Sequence, residues 1–150
     1  MIMKLGFYLE TNGGTPQNTE IYNFLNREIE NGNLRDAAVF FNSVNFNPIT
    51  TKFGMFDATE LWHFTGKLVT TSVLNTVRAK NVVNKFDMAY IFNSQDKNEQ
   101  TIFELVRIGK TMPVIVTNEL ERKEFYRLTG IEPKLLDGFS LEKFGEIFHE

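Results

Sequence analysis

MIMKLGFYLETNGGTPQNTEIYNFLNREIE, residues 1–30, opens on an apolar run, passes through a glycine pair and continues into an amphipathic stretch. Residues 3–9 read as a strand, and their continuous apolarity is that of a strand covered on both faces. Residues 18–31 read as a helix, because Ile21, Phe24, Leu25 and Ile29 fall on one stripe. Between the two, Gly13 and Gly14 can take a positive φ and let the backbone approach a ligand. Thr15 or Asn18 would cap the helix, whose free N–H groups attract an anion. Gly13, Gly14 and Thr15 are therefore candidate phosphate contacts. The same residues also suit a plain tight turn, since the chain has no G-x-G-x-x-G and no glycine-rich loop ending in Lys-Ser or Lys-Thr.

The strand-then-helix unit recurs along the chain. Further strands are predicted at 37–42, 67–71, 88–92 and 112–116, with a short sixth at 134–136. Helices are predicted at 73–85, 97–108, 119–128 and 141–149, each with apolar residues on one side. Gly32, Gly109 and Gly130 stand where helices should end, and Pro113 and Pro133 begin the next extended segments. Alternation with short links implies right-handed crossovers. The expectation is a single α/β domain, a Rossmann-like or flavodoxin-like three-layer sandwich with a mostly parallel sheet of about five strands.

One segment breaks the rhythm. VNFNPITTKFGMFDATELWHFTG, residues 44–66, carries Phe46, Phe53, Phe56, Trp62 and Phe64, with a short helix predicted at 58–64 and Asp57 or Thr59 near its start. It reads as a lid over a ligand, as an apolar pad for a second copy of the chain, or as an irregular lead-in that completes an ordinary crossover.

Bulk composition excludes several classes. The 150 residues are 42% hydrophobic and 23% charged, which suits a soluble globular domain rather than a disordered chain. A net charge of −3 is the wrong sign for a nucleic-acid binder, and Arg78, Lys80 and Lys85 read as a solvated helix face. There is no cysteine, so thiolate metal sites, disulfides and cysteine nucleophiles are excluded. No apolar run reaches the roughly 20 residues that span a bilayer. The expectation is a cytoplasmic protein with no membrane partner.

In open parallel sheets, ligands bind outside the carboxyl ends of the strands. The predicted ends are Glu10-Thr11-Asn12, Asn42-Ser43, Thr70-Thr71-Ser72, Asn93-Ser94-Gln95-Asp96 and Thr117-Asn118-Glu119. Hydroxyls and amides of this kind hydrogen-bond riboses, sugars and phosphates, and they are equally the preferred helix caps. Thr71, Ser72, Ser94 and Asn118 are taken as ligand contacts, and Asp96 and Glu119 as candidate catalytic carboxylates. His63 and His149 are too far apart in sequence to form a recognisable metal site. No cofactor is identifiable, and a hydrolase triad is rejected because Ser72 and Ser94 lack the G-x-S-x-G elbow.

YIFNSQDKNEQTIFELVRIGKTMPVIVTNE, residues 90–119, resembles the second half of a two-domain nucleotide-sugar glycosyltransferase, with Gly109, Pro113, Val114, Ile115 and Val116 matching that family's Gly-x-x-x-Pro-Val-Ile-Val-like run. KLVTTSVLNTVRA is similar to its strand–Thr-Ser–helix unit. The resemblance implies that the loop 94–99 and Thr117, Asn118 and Glu119 face a sugar nucleotide. The family's acidic ribose contact is not identifiable, and 150 residues make at most half of such an enzyme. In composition the chain also resembles the asparagine- and phenylalanine-rich α/β proteins of marine bacteria and their tailed phages. The expected function is a small-ligand domain for a nucleotide or nucleotide-sugar, with transferase-like activity. The alternative is a non-catalytic module that associates with itself through residues 46–64.

Overall fold

Leu5, Phe7 and Leu9 turn to one side of the first strand and Tyr8 to the other, and all four are buried. A strand buried on both faces needs helices above and below, and the chain supplies them. The computed structural model describes residues 4–34, 36–82, 86–96 and 101–149. The order is β1 (Leu5–Thr11), α1 (Pro16–Glu30), β2 (Ala37–Ser43), β3 (Gly54–Asp57), a 3-10 turn (Ala58–His63), β4 (Gly66–Thr70), α2 (Val73–Lys80) and β5 (Phe86–Ile91). A second 3-10 turn (Ser94–Asp96), α3 (Ile102–Thr111), β6 (Val114–Val116), α4 (Glu119–Thr129), β7 (Lys134–Leu135) and α5 (Leu141–His149) follow.

Among the described residues seven strands run parallel in one sheet, ordered β3-β2-β1-β4-β5-β6-β7. The chain steps outward from β1 to β3, returns to lay β4 on the other side of β1, and steps outward again. The strand order thus reverses between β1 and β4, the topological switch point of a Rossmann-type sheet. The sheet has seven strands where about five were expected. The short sixth appears as β7, and β3 forms a new edge beside β2, with Ala38 opposite Gly54 and Phe41 opposite Asp57.

On one face, α1 and α5 press Phe24 and Phe144 against Phe7, and the Phe7 and Phe144 rings meet edge-on at 5.9 Å. On the other, α3 and α4 cover Tyr90, Phe92 and Val116, while the first 3-10 turn places Leu61 and Phe64 over Tyr8 and Phe40. Each such ring contributes about 1.5–3 kcal/mol by leaving water. The many phenylalanines are therefore mostly core.

Local details depart from expectation in three places. The helix expected at 73–85 stops at Lys80 with Asn81 as its C-cap, and residues 83–85 lie outside the described residues. The helix expected at 97–108 is seen as Ile102–Thr111, with 97–100 outside them. Gly130 caps α4 in the left-handed region and Gly32 follows α1 there, but Gly109 lies inside α3. A Cβ on Gly109 would meet Ile131 Cδ1 at 2.7 Å and Phe125 Cζ at 3.3 Å, so this glycine serves close packing of α3 on α4.

The segment 44–66 divides its aromatic residues. Phe53 and Phe64 are buried, whereas Phe46 is 83% and Trp62 52% exposed. The helix expected at 58–64 is the first 3-10 turn, and Asp57 accepts from the Thr59 N–H at 3.0 Å. Among the described residues no helix is long and apolar enough to cross a membrane.

Candidate functional site

The pleat of β1 sends Tyr8 and Glu10 to the same face, and the parallel register sets Tyr8 opposite Phe40, so that Asn42 near the end of β2 stands beside Glu10. Across the switch point, Ser72 caps α2 and fixes its first turn by accepting from the Asn75 N–H at 3.1 Å. This brings Asn75 to the same place. The Tyr8 hydroxyl donates to Asn42 Oδ1 at 2.7 Å. Asn42 Nδ2 donates to Glu10 Oε2 at 3.0 Å and to Asn75 Oδ1 at 2.8 Å.

The direction of this chain of bonds is forced. A carboxylate only accepts, so Glu10 turns the Asn42 amide N–H₂ toward itself and leaves the Asn42 carbonyl for the Tyr8 hydroxyl. Asn75 must then present its oxygen to Asn42. Its Nδ2 is left buried without a partner, in a residue with 0% exposure. Among the described residues the other buried polar side chains are satisfied. Asn18 Nδ2 donates to the Thr11 and Gly13 carbonyls, each at 2.9 Å, and the Thr70 and Thr76 hydroxyls pair at 2.6 Å. An unpaired buried donor costs about 1–3 kcal/mol.

The sequence-predicted contacts fall into three groups. Gly13, Gly14 and Thr15 lie on the α1 side, where the turn is closed by the protein itself. The Gly13 N–H donates to Thr11 Oγ1 at 3.1 Å and the Gly14 N–H to the Phe46 carbonyl at 3.0 Å. Neither has a positive φ. Their lack of a side chain makes room for the 45–48 stretch, since a Cβ would meet Asn45 Cβ at 2.8 Å or Pro48 Cδ at 2.7 Å. Thr15 caps α1, accepting from the Asn18 N–H at 3.1 Å. Tyr22 seals the floor of this turn by donating to the Asn12 carbonyl at 2.9 Å, and burial pushes its hydroxyl up to about 12.

Thr71 and Ser72 flank the switch point. Thr71 Oγ1 donates to the Tyr8 carbonyl at 3.4 Å, and Ser72 is the cap already described. Ser94, Asn118 and Glu119 form the third group, at the ends of β5 and β6. Glu121 holds Ser94 through its N–H at 2.7 Å and its hydroxyl at 2.9 Å, while Asn118 caps α4 by accepting from the Glu121 N–H at 2.9 Å. Glu119 is bound by Arg122 at 2.9 and 3.0 Å, and that guanidinium, which also pairs with Glu132, holds the Glu119 carboxyl below the usual carboxylate range. The Asp96 side chain and residues 97–100 lie outside the described residues, as does the His149 side chain. His63 is exposed in the first 3-10 turn.

Tyr8, Asn75 and Glu121 carry the polar geometry of the rim and were not among the predicted contacts. Tyr8 reads as one more apolar strand residue, and its hydroxyl partner is 34 positions away. Glu121 reads as an ordinary first-turn acid. Among the described residues no three His, Asp or Glu side chains are arranged to hold a metal ion. The chain is matched by no protein-family model and by no curated protein sequence.

Proposed function

We propose that the chain binds the sugar portion of a small polyhydroxylated ligand, a nucleotide or nucleotide-sugar, at the carboxyl ends of β1, β2 and β4. The observation that carries this reading is the unpartnered amide donor of Asn75, a residue whose side-chain oxygen is joined to Glu10 through Asn42. A hydroxyl both accepts and donates, so one sugar hydroxyl would accept from Asn75 Nδ2 and donate to Glu10. An anion would meet the Glu10 carboxylate and be repelled, which favours the neutral sugar over its phosphates at this point. Glu10 is exposed at the end of β1 and would turn its carboxylate from Asn42 toward the ligand hydroxyl as the ligand enters. Any transfer chemistry would use Glu10 rather than Glu119, because the hold of Arg122 makes Glu119 a weak proton acceptor.

Titration with UDP-, ADP- and GDP-sugars tests the reading. Thermal shift should rise with ligand concentration, and the Asn75 side-chain amide signals should move in an ¹⁵N spectrum. Silence of both at millimolar ligand would refute it. A second reading, self-association through residues 46–64, is favoured by the exposure of Phe46 and Trp62. Sedimentation over a range of concentrations checks it: Phe46→Ser with Trp62→Ser should dissociate a dimer, and a wild-type chain that stays monomeric throughout removes the reading.

A further inference from the structure

A hollow of about 200 Å³ opens on the α2 face toward the amino ends of β1 and β2, away from the switch-point rim. Its aromatic wall is Phe40, Phe56 and Phe64, and its charged rim includes Lys4, Asp36 and Glu60. Two glycines build it. A Cβ on Gly6 would lie 2.8 Å from the Phe64 ring, so the absence of a side chain lets that ring lie flat on β1. A Cβ on Gly54 would lie 2.5 Å from Phe56 Cε2 and 2.6 Å from Cζ, so the edge of that ring takes the space a side chain would fill. The Phe40 ring joins them, 5.3 Å from Phe64 and 5.9 Å from Phe56.

We propose that this hollow binds a free methylated ammonium ion of the size of choline. Three observations converge on a cation. The ring faces carry negative potential, and Lys4 already places its ammonium 5.3 Å from the Phe64 centroid, as a resident cation does. Among the described residues the lining carries two carboxylates, one ammonium and the His63 imidazole, so carboxylates outnumber ammonium groups there. Among the described residues neither Asp36 nor Glu60 forms an ion pair. The volume is below the roughly 300–1,000 Å³ of drug-sized sites and suits a headgroup-sized ion. The proposal uses none of the residues of the sugar site and stands independently of it.

Choline titration followed by the Phe56 and Phe64 ring signals tests it, with 3,3-dimethyl-1-butanol as the neutral isostere. Choline should shift both rings and bind about five-fold more tightly than the isostere, the margin of one cation–π contact. Phe56→Leu and Glu60→Gln, both at exposed positions, should each weaken choline binding with the circular dichroism unchanged. Lys4→Met should strengthen it, because the resident ammonium then no longer competes for the Phe64 face. The protein should not pellet with phosphatidylcholine vesicles. Equal affinity for choline and its isostere, loss of binding in Lys4→Met, or the absence of ring shifts would overturn the proposal, and pelleting would overturn the assignment to a free ion.

Discussion

Replacing Asn75 by leucine should stabilise the protein while abolishing ligand binding at the switch point. Asn and Leu branch at the same carbon and carry the same number of side-chain heavy atoms, but the two methyl groups are bulkier than the amide, so a packing cost at this fully buried position counts against the change. The change loses one hydrogen bond, Asn42 Nδ2 to Asn75 Oδ1 at 2.8 Å, worth about 0.5–1.5 kcal/mol net. Asn42 is not orphaned, because the same Nδ2 still donates to Glu10 at 3.0 Å. Against this loss stand three gains. The unpaired buried Nδ2 disappears, which relieves about 1–3 kcal/mol. Leucine is the better helix former by a few tenths of a kcal/mol, and it adds apolar burial at a fully buried position. After the packing cost of the bulkier methyl groups, the net expectation is roughly 0–1.5 kcal/mol of added stability, a rise in Tm of up to about 4 °C for a chain of this size. Differential scanning calorimetry of the two proteins without ligand measures it. A fall in Tm of more than about 8 °C, beyond what crowding by the two methyl groups costs, would mean that Nδ2 has a partner in solution, and the polarised chain from Glu10 would then be the wrong account of the site.

Gly14→Ala should cost about 1–3 kcal/mol by urea denaturation, since its Cβ would strike Pro48 Cδ at 2.7 Å and neither the proline ring nor α1 can yield easily. Glu121→Ala should cost about 1–3 kcal/mol by releasing the N–H and hydroxyl of Ser94, and Glu121→Gln should cost less because one acceptor oxygen remains. Tyr22 is neutral in the fold up to about pH 12 but ionises near 10 when unfolded, so its contribution is whole below pH 10 and is lost as pH rises toward 12. Tyr22→Phe should therefore lose about 1 kcal/mol at neutral pH, and its stability should fall less steeply than that of the wild type between pH 10 and 12. Phe144→Ala should cost about 3–5 kcal/mol, because its fully buried ring locks α5 onto Phe7 and Phe24.

The parallel sheet was legible because continuous apolar runs such as AVFF and PVIV admit few other readings. β3 was not. Its four residues, GMFD, include two poor strand formers, and only half of each side chain row is covered, so no period-two or continuous apolar signal survives. Helix ends were legible where a side chain caps them, as at Thr15, Ser72 and Asn118, and those caps absorb several of the hydroxyls and amides that also read as ligand contacts. Gly109 misled for the opposite reason: its role is set by Ile131 and Phe125, which sequence order does not bring near. The Tyr8–Asn42–Asn75 group is of the same kind. Its members are separated by more than 30 positions, and only the register of β1 with β2 and the return of the chain to β4 assemble them.

The place proposed for the ligand follows from what is missing between β2 and β3. In a Rossmann-type sheet the first glycine turn and the start of its helix ordinarily receive a pyrophosphate. A helical crossover after β2 would leave that turn open. Here the residues that follow β2 form no helix. They fold back over the turn, where Phe46 accepts from the Gly14 N–H and Asn12 Oδ1 accepts from the Asn45 N–H at 2.7 Å. Gly13 and Gly14 are the two positions where that return path has no room for a Cβ. With the α1 side of the switch point filled by the protein itself, the α2 side is the remaining wall, and it is there that a buried donor lacks a partner. Two features of one loop, its lack of a helix and its close approach to the glycine pair, thus move the candidate site from the first helix to the second. They also exchange a phosphate-seeking backbone for an amide and a carboxylate that fit a hydroxyl.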